Sequence, residues 1–207
     1  MNSTSTLMPA IYQQYNNIEH LNIGGIVGAL WKGSTLNQCF NTGKIYGALT
    51  CQIEKYVCAA GIVGECFGNV ENCYNKGDVS AGNTDSTSGQ AFGGLVGSMQ
   101  PTGTLKNSYN TSLNIGRIPL YQNYKAQYKG LVCGANEGTI SNVYYLPQTS
   151  TSTVYATAGI GGGSAMSGTT QKTSAQLQGL ASTLGSTYWV QSSSINGGFP
   201  YLKNNQP

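Results

Sequence analysis

The chain has 207 residues, a net charge of +3, and charged side chains at only 8% of its positions. Its ten lysines and arginines are too few and too scattered to indicate a nucleic-acid partner. No run approaches the roughly eighteen apolar residues that a membrane-spanning helix needs, so direct membrane insertion is not expected.

Residues 1–24 form a polar N-terminal segment with a predicted strand at residues 18–23. The single histidine, His20, lies in that strand without a neighbouring cysteine, histidine or carboxylate pair, so no catalytic role is assigned to it. The first six residues lack the basic and apolar regions of a signal peptide. We therefore expect a fragment of a larger protein.

Residues 25–145 repeat one pattern four times, and each copy begins with a glycine-aliphatic motif at residues 25–28, 61–64, 94–97 and 130–133. Three kinds of residue recur every 34 or 35 positions. They are an aliphatic residue (Leu36, Val70, Leu105, Ile140), an amide (Gln38, Asn72, Asn107, Asn142) and an aromatic residue (Phe40, Tyr74, Tyr109, Tyr144). A period of this length is typical of arrays in which one unit buries its apolar face by stacking on the next.

The repeats predict an all-β fold, a right-handed parallel β-helix with about four coils of ~35 residues. Each copy contains three short segments rich in β-branched and aromatic residues, separated by turn signals. Stacking then places equivalent residues in ladders along the axis. Asparagine tolerates the left-handed conformation that a tight corner needs, so the amide ladder is assigned to a corner. Whether the aromatic ladder points inward or outward is left open.

Connections of unequal length separate the copies at residues 48–60, 83–92 and 117–129. In repeat arrays such insertions map to one face, which is often the binding face. The third connection interleaves tyrosine with basic residues, which suit a glycan or a protein partner; packing onto the stack is the alternative. The candidate binding residues are Arg117, Tyr121, Tyr124, Lys125, Tyr128 and Lys129.

The C-terminal third is predicted to have two parts. Residues 146–172 are rich in glycine, serine and threonine and are expected to form a flexible linker. Residues 173–207 are predicted to contain a helix at 174–184, capped by Thr173 or Ser174, and an aromatic strand-like tail. This unit is expected to cover the last coil of the array, because an open end exposes apolar surface and unpaired backbone.

The cysteines indicate packing or disulfides rather than metal binding, because no C-x-x-C pair occurs among the six. Cys39 and Cys73 occupy the same column of neighbouring copies, at a spacing that a disulfide accepts. Cys51 and Cys58 flank one connection and are a second candidate pair. Buried thiols are the alternative for both pairs, and no metal or cofactor is predicted.

Enzyme activity is not expected, since only seven acids are present and no nucleophile motif accompanies the one histidine. Glycoside hydrolysis needs two carboxylates beside one bond. Glu71 and Asp78 lie within one repeat and could in principle meet on one coil, although two acids in one repeat are unremarkable. A carbohydrate-active β-helix enzyme using them is kept as a second alternative.

The motifs Gly-Ile/Leu-Val-Gly, Asn-Cys/Ser-Tyr-Asn and Gly-Asp-Val together resemble the GLUG-motif repeats of large bacterial surface proteins. The resemblance covers residues 25–145 and extends to the tail around residues 196–202. The fourth copy departs from the pattern with Cys133 at the last glycine, and the third with Ser112 in place of glycine. The family resemblance implies a β-helix similar to that of adhesins and filamentous haemagglutinins.

These observations predict a non-catalytic binding or stalk module in adhesion, located outside the cell or on its surface. Its expected partners are a glycan, a host or matrix protein, further copies of itself, or the rest of a larger surface protein. A self-assembling filament or spacer subunit is the first alternative.

Overall fold

The structure is a computed structural model that describes residues 2–3, 18–49, 53–83, 89–117 and 127–207. A short strand, β1 (Asn2–Ser3), comes first. The first repeat then contributes β2 (Ile18–Gly24), β3 (Val27–Leu30), β4 (Thr35–Asn37), β5 (Phe40–Asn41) and β6 (Ile45–Leu49). The second contributes β7 (Ile53–Ala60), β8 (Val63–Cys66), β9 (Asn69–Glu71), β10 (Tyr74–Asn75) and β11 (Val79–Asn83).

The third repeat contributes β12 (Gly89–Gly93), β13 (Val96–Met99), β14 (Thr104–Asn110) and β15 (Ile115–Arg117). The fourth contributes β16 (Gln127–Gly130), β17 (Cys133–Asn136) and β18 (Thr139–Tyr145). The rest of the chain forms β19 (Ile160–Gly162), β20 (Thr169–Gln171), α1 (Ser174–Gln178), α2 (Ala181–Gly185), β21 (Trp189–Val190), a 3₁₀ turn (Asn196–Gly198) and β22 (Tyr201–Leu202).

The strands of successive repeats pair in parallel and build four sheets. The first sheet has the order β2-β7-β12-β16, and the second β3-β8-β13-β17-β19. The third contains β1-β5-β10-β14-β18-β20 with β4 and β9, and the fourth β6-β11-β15. The fold is therefore all-β with parallel sheets, which confirms the predicted class.

The first sheet is an addition to the predicted pattern of three strands in each repeat. Its strands β7, β12 and β16 lie in the three stretches that the sequence predicts to be connections. Their composition gives no common motif, so only the pairing between repeats shows that they are equivalent.

The three predicted ladders are in register across the third sheet. Phe40 pairs with Tyr74, Tyr74 with Tyr109, and Tyr109 with Tyr144. The aliphatic ladder pairs in the same way through Leu36, Val70, Leu105 and Ile140. The four amide residues all adopt positive φ, between 50° and 57°, and so form the corner at which each repeat turns.

That corner separates two apolar clusters. The aliphatic ladder packs inside the sheets with residues such as Ile62, Val63 and Leu95. The aromatic ladder lies on the other side of the corner and packs against Leu177, Leu184, Trp189 and other residues of the C-terminal unit. The aromatic ladder therefore points away from the interior and is covered from outside.

The last glycine of each motif is required by the close approach of the first two sheets. A Cβ on Gly64 would lie 2.7 Å from the backbone nitrogen of Ile23. In the fourth repeat Cys133 pairs with Val96, and Gly134 supplies the close approach. Cys133 therefore does not replace the last glycine of the motif. In the fourth repeat the motif lies one residue later than the sequence comparison placed it, and Gly134 is its last glycine.

Residues 146–172 are not a free linker. They contain β19 and β20, which pair with β17 and β18 and extend the second and third sheets beyond the fourth repeat. Glycine is needed here because neighbouring backbone leaves no room for a side chain. A Cβ on Gly161, for example, would lie 2.4 Å from the backbone nitrogen of Lys129.

The C-terminal unit also differs from its prediction. The expected single helix is two short ones, and α1 begins at a capping box between Thr173 and Gln176. The unit lies along the side of the repeats rather than over their end. It contacts the first repeat through Asn205, whose Nδ2 donates to the Gln38 carbonyl, and the fourth through Asn142, whose Nδ2 donates to the Thr183 carbonyl.

Candidate binding site

Two of the six predicted binding residues have described side chains, and the structure gives them different surroundings. Arg117 ends β15, while Tyr121, Tyr124 and Lys125 lie outside the described residues. Tyr128 and Lys129 are on β16. The ring of Tyr128 lies against the backbone of Gly162, because a Cβ there would be 2.1 Å from Cδ1 of the ring.

Lys129 lines an open cavity of about 320 Å³ at the end of the fourth repeat. Its Nζ donates a hydrogen bond to the carbonyl of Thr153. The other lining residues are Thr153, Tyr155, Ala156, Thr157 and Gly161. Of the predicted site, the structure thus places one tyrosine in a packing contact and one lysine at a cavity.

A second region, which sequence reasoning missed, is centred on the carboxylate of Glu65. Glu65 lies on β8 with 6% of its surface exposed. Its Oε2 accepts a hydrogen bond of 2.8 Å from Asn22 Nδ2, and its Oε1 accepts one of 2.9 Å from Gln100 Nε2. Gln100 Nε2 also donates to Ser98 Oγ over 3.2 Å.

These side chains meet because the first and second sheets turn sharply at the glycine motif. Asn22 alternates with the apolar residues Leu21 and Ile23, so it points to the face opposite the interior. Glu65 is in register with Ser98 on the next strand. The hydrogen bond from Asn22 to Glu65 joins residues 43 positions apart, which no short-range sequence pattern reveals.

Within the described part of the structure, one basic side chain pairs with the Glu65 carboxylate: His20 Nδ1 lies 3.8 Å from Oε2. A buried carboxylate is stabilised by hydrogen bonds to its charged form, here from two amides. Burial, and secondarily the Glu65 charge, raise the pKa of the neighbouring Cys58 thiol, so Cys58 is neutral.

Exposed aromatic rings border this polar cluster on both sides. Trp31 is 66% exposed and stacks on Phe67 of the next repeat, with ring centroids 5.2 Å apart and 14° between the planes. Tyr56 is 46% exposed, and its ring centroid lies 5.8 Å from that of His20. Large apolar groups left in water are informative, because an isolated protein gains by burying them.

The Trp31 column runs directly beside the Glu65 column. The Phe67 amide donates to the Leu30 carbonyl and the Gln100 amide to the Cys66 carbonyl, so Trp31, Phe67 and Gln100 hold equivalent positions in three repeats. The side chain of Gln100 contacts Glu65. We call Asn22, Glu65, Gln100, Trp31 and Phe67, with His20 and Tyr56, the open face.

The open face combines features that suit a sugar ring. Trp31 offers a largely exposed ring stacked on half-buried Phe67, and the side-chain amide of Gln100 follows in the same column. In contrast, the two acids considered for glycoside hydrolysis are in separate surroundings. Glu71 Oε1 lies 2.9 Å from Lys106 Nζ, while Asp78 Oδ1 accepts a hydrogen bond of 2.9 Å from Ser112 Oγ.

The cysteines that the structure describes are thiols. Cys39 and Cys73 are neighbours, but no disulfide joins them here. Cys58 is a buried thiol, and its predicted partner Cys51 lies outside the described residues. Across the described ranges, no group of three or more histidine, cysteine or acidic side chains is arranged to hold a metal ion.

Comparison with known proteins does not assign this arrangement. No family model, no curated protein and no solved structure matches the chain. Within the described residues, no helix is long and apolar enough to cross a membrane.

Proposed function

We propose that the chain is a non-catalytic binding module of the cell surface or extracellular space, and that it recognises a glycan through the open face. The observation that carries this proposal is the exposed Trp31 ring, stacked on Phe67 beside the buried Glu65 network. A stacking surface next to directed hydrogen-bonding groups provides both affinity and orientation for a sugar.

The proposed architecture is a right-handed parallel β-helix with about four coils. The register of the parallel strands supports it, because the repeats pair residues 34 or 35 positions apart in the third sheet and 33 to 37 positions apart in the other three. The resemblance to GLUG-motif surface proteins supports a role in adhesion. In this architecture the open face spans the first three coils, so an extended glycan would contact more than one of them.

A direct test measures glycan binding to the intact chain and to two single variants. Trp31→Ala removes the stacking surface and is expected to weaken binding at least tenfold, about 1.4 kcal/mol. Tyr46→Ala is the matched control, because Tyr46 is an exposed aromatic residue on the fourth sheet, outside the open face. Equal loss in both variants, or no binding by the intact chain across a broad glycan panel, contradicts the proposal.

Self-association is the second candidate function, and the edges of the sheets favour it. Among the described residues, β2, β3 and β6 each end a sheet at the first repeat. Such edges can pair with another chain. Sedimentation at increasing concentration separates the two functions, since a monomer throughout argues against a filament.

A further inference from the structure

Cys39 and Cys73 are placed face to face on neighbouring repeats. Each precedes a residue of the aromatic ladder, and those residues, Phe40 and Tyr74, pair in register. The Tyr74 amide also donates a 3.1 Å hydrogen bond to the Cys39 carbonyl. Paired parallel strands lie about 4.8 Å apart, which brings two such Cα atoms into the range that a disulfide bridges.

The two thiols also point the same way and are in contact. Cys39 Sγ donates to the Asn37 carbonyl over 3.4 Å, and Cys73 Sγ donates to the Glu71 carbonyl over 3.1 Å. These are equivalent carbonyls, two residues earlier in each repeat. Each of the two side chains also shifts the pKa of the other, as adjacent groups do. Both residues belong to the interior apolar cluster.

The remaining cysteines of the described part lack this arrangement. Cys58 is in register with Asn22 and Ala91. Cys66 is in register with Leu30 and Met99, and Cys133 with Val96 and Ile160. Among the described cysteines, only Cys39 and Cys73 face each other on neighbouring repeats.

We propose that Cys39 and Cys73 form a disulfide when the chain meets a disulfide oxidant, and that the bond clamps the first repeat onto the second. The Cys39 thiolate attacks one sulfur of the external disulfide, and half of the oxidant leaves as a thiolate. Cys73 then attacks the Cys39 sulfur of this mixed disulfide and displaces the other half. Two cysteine thiols are oxidised, the oxidant is reduced to two thiols, and the two protons end on them.

The chemistry of the pair favours this direction of attack. The neighbouring Cys73 side chain lowers the pKa of the Cys39 thiol, while burial raises the pKa of Cys73. Cys39 is therefore the more readily ionised of the two thiols and acts as the attacking group. Because both residues are buried, the external disulfide gains access when the first repeat opens locally.

The position of the bond gives it an effect on stability. In a stacked array each repeat contacts only its neighbours, so the first repeat can open locally from the second. A bond between the first and second repeats removes that opening. This inference does not depend on the proposed ligand, because the pair lies in the interior and not on the open face.

The test compares the intact chain with and without oxidised glutathione, followed by alkylation and peptide mapping. We expect the oxidised chain to contain a Cys39–Cys73 cross-link and its thermal midpoint to rise by roughly 5–10 °C. Cys73→Ser should fold normally, because the third repeat carries Ser108 at the same place, and should lose both effects. Cys66→Ser is the matched control, and it should keep the cross-link.

Two outcomes would overturn the inference. One is a folded chain whose Cys39 remains alkylatable, and so uncross-linked, after prolonged oxidation. The other is a cross-link from Cys39 to a different cysteine, which would show that register does not direct the pairing. Cys39→Ser provides a second check, since it should leave Cys73 as an unreacted thiol in the oxidised chain.

Discussion

Two aromatic columns run along this molecule, and only one of them is covered. Phe40, Tyr74 and Tyr109 are fully buried and stack in turn, with ring centroids 4.9 Å apart for the first pair and 5.1 Å for the second. Trp31 and Phe67 stack just as closely, yet Trp31 stays largely in solvent. Both columns arise in the same way, from equivalent residues of successive repeats.

The difference is made by the C-terminal unit. Trp189 packs against Tyr74 and Tyr109 with ring centroids 5.9 and 5.6 Å away, and its Nε1 donates to Asn72 Oδ1. Asn196 adds a hydrogen bond of 2.8 Å to the Tyr109 hydroxyl. Stacking alone therefore does not decide the role of an aromatic column. A column that the chain covers is structural, and one that it leaves uncovered is available to a partner.

Removing the Trp189 side chain, which packs the C-terminal unit onto the aromatic ladder, should have the largest effect on stability. Trp189→Ala deletes a buried indole and is expected to lower the free energy of unfolding by about 3–5 kcal/mol. Denaturant unfolding of the intact chain and the variant measures this. A loss below about 1 kcal/mol would mean that the C-terminal unit is only loosely attached.

High pH should weaken the covered column next. Burial raises the pKa of Tyr109 and of Tyr74 well above that of an unfolded tyrosine, which is about 10. Their contribution is complete below about pH 10 and is lost as the pH rises further, by about 1.4 kcal/mol per pH unit for each residue. The pKa values of four buried thiols are raised in the same direction, at Cys58, Cys66, Cys73 and Cys133. Unfolding of the intact chain and Tyr109→Phe, measured at several alkaline pH values, separates the tyrosine contribution.

A smaller effect distinguishes two tyrosines of the covered column. The Tyr74 hydroxyl is buried and has no hydrogen-bond partner among the described residues, whereas the Tyr109 hydroxyl donates to the Pro200 carbonyl. Tyr74→Phe should therefore be neutral or stabilising by up to about 1 kcal/mol, because it removes an unsatisfied polar group. Tyr109→Phe should destabilise by about 1 kcal/mol. If Tyr74→Phe destabilises the chain more than Tyr109→Phe does, the Tyr109 hydroxyl is not the polar contact that holds the C-terminal unit.

The smallest change is expected on the open face. Trp31→Ala should alter the free energy of unfolding by no more than about 0.5 kcal/mol, since the ring is mostly in solvent. Comparing this value with the loss of glycan binding by the same variant sharpens the contrast. A large loss of stability would show that Trp31 is structural after all.

The site was less predictable than the fold. Tyrosine and lysine in the third connection drew attention because both residue types are common in binding loops, yet the Tyr128 ring packs on Gly162. No sequence pattern pointed to Glu65, which is a single acid in a strand. Its environment follows from hydrogen bonds with Asn22 and Gln100, which are far from it in the chain. Trp31 carried a weak signal, as a tryptophan between Leu30 and Lys32 in a turn.

A second missed feature did have a signal in the sequence. Asn41, Asn75 and Asn110 follow the aromatic residue in three repeats and form a fully buried ladder. Asn41 Nδ2 donates to Asn75 Oδ1 over 2.9 Å, and Asn75 Nδ2 to Asn110 Oδ1 over 3.0 Å. The recurring aromatic-asparagine pair pointed to this ladder, but sequence alone does not show that the amide is buried.

The sequence by itself determined the period, the register and the corner, because equal spacing lays like residues over like and asparagine accepts the left-handed turn. Only the tertiary structure decided which faces are covered. That outcome depends on where strands without a shared motif pair, and on where the distant C-terminal unit docks along the repeats. Contacts between residues far apart in the chain follow from shape and burial, and local spacing does not encode them.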